Sequence, residues 1–67
     1  MNGRMLKEYD VVTARRDLNE KVAKGARGTV LIVYEANPPK YEVEFLDEDG
    51  YTIDLLTLSD NEVTKER

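Results

Sequence analysis

Apolar and polar residues alternate with a period of two along much of the chain, and polar, glycine and proline residues interrupt the alternation. The cleanest example is segment 41–47, in which Tyr41, Val43 and Phe45 alternate with two glutamates. Successive side chains of a β-strand point to opposite faces, so this segment predicts a half-buried antiparallel strand. Its apolar residues should face a core, and its outward face should be acidic.

Three further segments have the β-branched composition of strands: 9–15, 28–34 and 51–57. The segment 28–34 is a continuous β-branched run, which is typical of a strand that is covered on both faces or is strongly bent within a barrel. It predicts the central strand of the sheet. Residues 58–63 then predict one turn of 3₁₀ helix, capped by Ser59 or Asp60, that leads into a last short strand at Val63 and a polar tail.

Turn signals separate these strands. The two prolines of segment 35–40 and the Asp-Gly pair of segment 48–50 predict two hairpin loops. Segment 16–24 offers only one apolar pair at helical spacing, Leu18 and Val22, so we expect an irregular loop held by these two residues. The chain therefore predicts an all-β fold, a small antiparallel barrel of about five strands with one 3₁₀ turn before the last strand.

Composition limits the chain to one domain and excludes most enzyme chemistry. The sequence has 67 residues, with 14 acidic and 10 basic side chains and neither cysteine nor histidine. A domain of this size buries only roughly 60% of its unfolded surface, so we expect a single domain, 1–67, with its core at about 6–63 and partly frayed ends. Without cysteine or histidine, the chain lacks thiol nucleophiles, thiolate and imidazole metal ligands, and the usual general base near neutral pH. We expect a protein that is not an enzyme and has no cofactor.

The net charge of −4 is unevenly distributed. Residues 1–27 hold seven basic and four acidic groups (+3), whereas residues 28–67 hold three basic and ten acidic groups (−7). An acidic protein attracts basic or mixed-charge proteins and repels nucleic acid. The chain also has no apolar run long enough for a membrane span or a secretory signal. We therefore expect a cytoplasmic protein whose partner is another protein, rather than a membrane, a nucleic acid or a small-molecule substrate.

Four short segments, in this order, carry a family resemblance: Tyr-Asp-Val-Val at 9–12, Gly-Ala-Arg-Gly-Thr-Val at 25–30, Tyr-Glu-Val-Glu-Phe at 41–45 and Asp-Gly at 49–50. Over roughly residues 6–63 the chain resembles the small bacterial family catalogued as domain of unknown function 4926, and more broadly the SH3-like barrels. The glycine turn is also similar, more weakly, to KOW-type barrels and to the barrel of the nitrile hydratase β subunit. The resemblance implies an SH3-like fold and no reaction, because the family has no established activity.

The first candidate site is the acidic face of the third strand with the turn that follows it: Glu42, Glu44, Asp47, Glu48 and Asp49. Acidic surfaces accelerate encounter with basic partners. The leading hypothesis is a protein-interaction module, either an accessory subunit or an antitoxin-like neutraliser of a basic toxin. The spacing of the carboxylates between Asp47 and Asp54 does not match a calcium-binding loop, so we expect no metal site.

The alternative site is basic and consists of Arg15, Arg16, Lys24 and Arg27. Arginine forks suit phosphate, so this set favours a KOW-like contact with RNA or the ribosome. Asp17 and Glu20 lie within the same segment and reduce its positive charge. The acidic net charge makes this hypothesis the weaker of the two.

Four tyrosines lie at predicted strand ends: Tyr9, Tyr34, Tyr41 and Tyr51. A tyrosine at a barrel rim can close the core with its ring, or it can anchor a partner protein. The sequence leaves both roles open. There is no tryptophan and no recognisable acidic groove of the kind that binds proline-rich peptides, so we do not expect that type of recognition.

Overall fold

The computed structural model describes residues 6–66 and contains five strands and one 3₁₀ turn. The strands are β1 (Val11–Ala14), β2 (Arg27–Tyr34), β3 (Lys40–Leu46), β4 (Thr52–Leu58) and β5 (Val63–Lys65), and the 3₁₀ turn (Asp60–Glu62) precedes β5. All neighbouring strands are antiparallel, and they form one sheet in the order β4-β3-β2-β1-β5. The predicted all-β architecture is confirmed, and β2 is the central strand.

The core lies on one face of this sheet and contains ten buried apolar side chains: Leu6, Val12, Ala14, Val22, Val30, Tyr41, Val43, Phe45, Leu58 and Val63. The three alternating residues of β3 are 0% exposed, which confirms that they point inward. Leu58 of one edge strand and Val63 of the other belong to the same core cluster. Within residues 6–66 no helical layer covers this face, so the sheet must curl over its own apolar side to bury it.

Residues 16–24 form the irregular loop that the sequence predicts. Val22 is buried in the core and Leu18 packs against it. The loop backbone closes on itself, because the Leu18 amide donates to the Val22 carbonyl (2.8 Å). The Asn19 side chain accepts from the Lys21 and Val22 amides at 2.8 Å each. This short polar network replaces the helix that two apolar residues cannot stabilise.

The central strand β2 bends, and it is not covered on both faces. Its register with β3 shifts between Val30 and Ile32, which is typical of a β-bulge. Beyond the shift Val33 packs against the core, while Ile32 and Tyr34 are exposed on the other face. Of the two interpretations of this apolar run, the bent strand is therefore correct.

Several element ends differ from the prediction. β1 begins at Val11, because residues 7–10 form a turn in which the Lys7 amide donates to Asp10 Oδ2 (2.8 Å). Leu58 ends β4 opposite Tyr41 and is not part of the 3₁₀ turn. The predicted polar tail is partly a strand, since Lys65 of β5 pairs with Val12. The predicted frayed ends fall largely on residues 1–5 and 67, which lie outside the described residues.

Candidate interaction surface

The strand register places two rows of side chains across the outer face of the sheet, the face opposite the core. One row contains Val11, Thr29, Glu44 and Leu55, which are successive partners from β1 to β4. The next row contains Ile32, Glu42 and Thr57. Cross-strand partners lie on the same side of a sheet, so these residues share one surface.

This outer face exposes more apolar surface than a solvated strand face requires. Four large apolar side chains on it are 39–49% exposed: Val11, Ile32, Tyr34 and Leu55. Together with Glu42 and Glu44 these four residues are called the acidic–apolar face below. Contiguous exposed apolar residues edged by polar ones are typical of protein interaction sites.

Hydroxyl groups orient the two carboxylates of the acidic–apolar face. Glu42 Oε1 accepts hydrogen bonds from Thr57 Oγ1 (2.8 Å) and from the Tyr34 hydroxyl (3.5 Å), and Glu44 Oε2 accepts one from Thr52 Oγ1. Both glutamates are half-buried. Among residues 6–66 neither forms an ion pair with a lysine or arginine. The donors are neutral, so the two negative charges stay uncompensated and are held in position.

The five predicted acidic residues do not form one surface. Glu42 and Glu44 lie on the acidic–apolar face, whereas Asp47 closes the β3–β4 hairpin. Asp47 Oδ1 accepts from the amides of Asp49 and Tyr51 at 2.9 Å each, which leaves Gly50 at a positive φ of 89°. Asp47 therefore has a local structural role that its position in the sequence already allows.

The four predicted basic residues lie in two separate places. Arg15 and Arg16 lie beside the 3₁₀ turn, where Arg15 Nη1 donates to the Asn61 carbonyl (3.5 Å) and Arg16 pairs with Glu62 (3.3 Å). Arg27 pairs with Glu66 (3.2 Å). Arg15 and Lys24 have no ion pair within the described part of the chain. The structure does not gather them into one free basic patch.

Lys24 and Arg27 line an open groove of about 610 Å³ between the 21–27 segment and the β3–β4 hairpin. Its lining residues are Lys21, Ala23, Lys24, Gly25, Ala26, Arg27, Leu46, Asp47, Glu48 and Ile53. Three basic residues stand in this lining with Asp47 and Glu48. The groove therefore has mixed charge and no strong preference for anions.

Only one tyrosine closes the core. Tyr41 is fully buried, and its hydroxyl accepts a hydrogen bond from the Leu6 amide (3.4 Å). Tyr34 belongs to the acidic–apolar face, and Tyr9 and Tyr51 are largely exposed. Both roles that the sequence left open for tyrosine are therefore structurally available, at different positions.

Sequence reasoning missed the apolar members of the face, Val11, Ile32 and Leu55. For Ile32 and Leu55 a signal was present, because the runs 30–34 and 53–56 contain apolar residues at both odd and even positions. A strand with one solvated face has apolar residues at one parity only. Apolar residues at both parities therefore indicate that the second face of the strand is also suited to burial.

Two general features of residues 6–66 bear on function. They contain no group of three or more side chains arranged to hold a metal ion. They also contain no helix with the length and hydropathy needed to cross a bilayer.

The family model described as Domain of unknown function (DUF4926) matches residues 8–65. The chain belongs to this family. Comparison with curated proteins and with solved structures gave no match. The likeness to SH3-like, KOW-type and nitrile hydratase barrels therefore stays a prediction from the sequence.

Proposed function

We propose that this protein is a non-enzymatic interaction module that binds another protein through the acidic–apolar face. The observation that supports this most directly is the set of exposed aliphatic and aromatic side chains around two oriented, unpaired carboxylates. Rigid sheet residues lose little conformational freedom on binding, which favours their use in an interface.

The chemistry of the face defines the partner. Ile32, Tyr34 and Leu55 would contact apolar side chains at the centre of an interface, and tyrosine is common among residues that dominate binding energy. Burying Glu42 and Glu44 without a cation would be costly, so the partner should present lysine or arginine opposite them. A basic or mixed-charge protein meets both requirements. We place this interaction in the cytoplasm, where the chain would act as an accessory subunit or as an antitoxin-like neutraliser of a basic protein.

The test compares surface variants of the immobilised protein by quantitative mass spectrometry of captured cytoplasmic proteins. Ile32→Ser and Leu55→Ser remove apolar contacts from the face, and Tyr9→Ser is the control, because Tyr9 is largely exposed and belongs to neither row. We expect one basic partner to be retained by the native chain and by the control, and to be lost with the face variants. For the purified partner, Kd should rise at least about tenfold with either face variant, and the association rate should fall with salt. Equal binding by all variants would contradict the proposal.

A second candidate function is an RNA or ribosome contact through Arg15, Arg16, Lys24 and Arg27. It is supported by the basic residues along the groove, to which Lys21 also contributes. Fluorescence anisotropy with structured RNA at low salt should then show binding that weakens steeply as salt is added. Arg16→Glu should abolish it. A flat titration would eliminate this function and leave the protein-binding proposal unaffected.

A further inference from the structure

β4 is an edge strand of seven residues, with no strand beyond it in the described sheet. The outward amides and carbonyls of such an edge are a template for pairing with another chain. In an antiparallel ladder, residues alternate between bonding their neighbour and pointing their backbone groups away from it. Which β4 residues point outward therefore decides what can pair with this edge.

The Leu55 amide identifies the outward set. It donates to Asp54 Oδ1 (2.8 Å) and so is not used for the ladder with β3. By alternation, the Thr57 and Ser59 amides also point outward. The Ser59 amide donates to Glu62 Oε1 (2.9 Å). Carboxylates thus occupy the outward amides on both sides of Thr57.

The 16–24 loop holds the first of these carboxylates in place. Asn19 Nδ2 donates to the other oxygen of Asp54, Oδ2, at 2.9 Å. This hydrogen bond joins residues that are 35 positions apart in the chain. It also lowers the pKa of Asp54, because it stabilises the anionic form that accepts hydrogen bonds. Asp54 is therefore fixed at the edge from two directions.

We infer that Asp54 blocks the β4 edge against pairing with β4 of a second copy of this chain. An antiparallel pair of β4 strands with its two-fold axis at Leu56 would place Leu55 of each copy opposite Thr57 of the other. Each such pair exchanges two hydrogen bonds, so four would form. Two of these four need the Leu55 amides that Asp54 occupies. The inference concerns the strand edge and does not depend on the proposed function of the outer face.

Amide hydrogen exchange of the native protein, measured by NMR, tests the hydrogen-bond assignment without any variant. The Leu56 and Leu58 amides, which face β3, should be the most protected, and the Thr57 amide should exchange fastest among residues 55–59. The Leu55 and Ser59 amides should be slower than Thr57. In Asp54→Ala, exchange should accelerate at Leu55 and not at Ser59. A Leu55 amide that exchanges as fast as Thr57 in the native chain would overturn the inference.

Analytical ultracentrifugation tests the consequence. Asp54→Ala frees the Leu55 amide, and the dissociation constant of a dimer should fall about tenfold or more relative to the native chain, since two hydrogen bonds are recovered. Asp49→Ala is the control, because it removes one exposed carboxylate from the adjacent hairpin and changes the net charge equally. Asp54→Asn keeps the acceptor oxygen and should behave like the native chain.

Each contrary result has a clear meaning. A folded Asp54→Ala chain that associates no more than Asp49→Ala would overturn the inference. Association of Asp54→Asn would also overturn it, because charge alone would then keep the copies apart. Adding Thr57→Pro to Asp54→Ala removes the other outward amide of this pairing, so two of the four hydrogen bonds are lost and the dissociation constant should return to about that of the native chain. Proline is tolerated where an edge amide faces solvent. If Asp54→Ala fails to fold, the exchange measurement on the native chain decides the matter.

Discussion

The two faces of β3 have almost opposite environments, although their residues alternate along one strand. Tyr41, Val43 and Phe45 are fully buried in the core cluster, and the Tyr41 hydroxyl accepts one hydrogen bond. Glu42 and Glu44 are half-buried among threonines and exposed apolar side chains. Side-chain parity therefore separates the residues that stabilise the fold from those to which we assign partner binding. Changes on the inner face should unfold the protein, and changes on the outer face should alter what it binds.

The size of the domain makes this separation sharp. At the usual density of stability per residue, a chain of this length has a free energy of unfolding of only about 3–10 kcal/mol. Full burial of one large apolar side chain contributes ~1.5–3 kcal/mol. One inner residue is therefore a large fraction of the total, whereas an exposed residue is a small one.

The largest expected effect is that of Phe45→Ala. Phe45 is fully buried, and truncation of a core phenylalanine costs ~3–5 kcal/mol, which is close to the whole stability of this domain. The variant should be largely unfolded at 25 °C by far-ultraviolet circular dichroism. Glu44→Ala, the neighbouring outer residue, should remain folded and lose about 1 kcal/mol or less. Similar losses from both variants would contradict the contrast between the faces.

Gly28→Ala should produce the next largest effect. A Cβ at this position would lie 2.8 Å from Val43 Cγ1, 2.9 Å from Phe45 Cδ1 and 3.0 Å from the Glu44 carbonyl oxygen. Overpacking of this kind costs ~1–3 kcal/mol, measurable by urea denaturation. Combining Gly28→Ala with Val43→Ala should cost less than the sum of the two single changes, because the second substitution removes the nearest clash. Strictly additive losses in the free energy of unfolding would show that the inner face relaxes freely around the added Cβ.

Thr57→Val tests how the outer face holds its charge. It removes the 2.8 Å hydrogen bond to Glu42 Oε1 while keeping the shape of the side chain. We expect a loss of about 1 kcal/mol in the free energy of unfolding, measured by urea denaturation. Thr64→Val on the exposed side of β5 is the control and should change stability by less than about 0.5 kcal/mol. Equal effects would indicate that the Thr57 hydroxyl is unimportant.

The smallest effect concerns the titration of Asp54. Its pKa is lowered from the ordinary value of 3.8, first by the Asn19 hydrogen bond and then by the Leu55 amide. A carboxyl whose folded pKa is depressed stabilises the fold above its unfolded pKa, and this contribution is lost as pH falls through the folded pKa. Asn19→Ala should therefore raise the pKa of Asp54 toward 3.8, as followed by NMR of the side-chain carboxyl. Asn61→Ala should leave it unchanged, and an unchanged value in Asn19→Ala would show that Asn19 does not stabilise the anion.

The elements of this fold were predictable where they depend on local chain geometry. The alternation of β3, the Asp-Gly hairpin and the irregular loop with Leu18 and Val22 all follow from short-range rules. Errors occurred at element ends, such as Leu58, which the sequence alone assigns to the 3₁₀ turn. Its pairing with Tyr41 and its burial in the core extend β4 by one residue, and neither contact is visible in a local pattern.

The candidate site was predictable only in part. Glu42 and Glu44 were expected to be outward from their parity, and the structure places them there, but Asp47 was grouped with them by proximity in sequence. The turn that uses the Asp47 carboxylate for two backbone amides separates it from the face. Val11, Ile32 and Leu55 join the face from three other strands, so no single segment contains the whole surface.

By itself, the sequence determined the secondary structure, the inward trio of β3 and the family, since these depend on the order and spacing of residue types. Tertiary structure alone decided which side chains share the acidic–apolar face and which carboxylates occupy the outward amides of β4. The physical reason is that these contacts join residues that are far apart along the chain. Register between strands is set by the packing of the whole core, and the contact of Asn19 with Asp54 exists only after the 16–24 loop has packed through Val22.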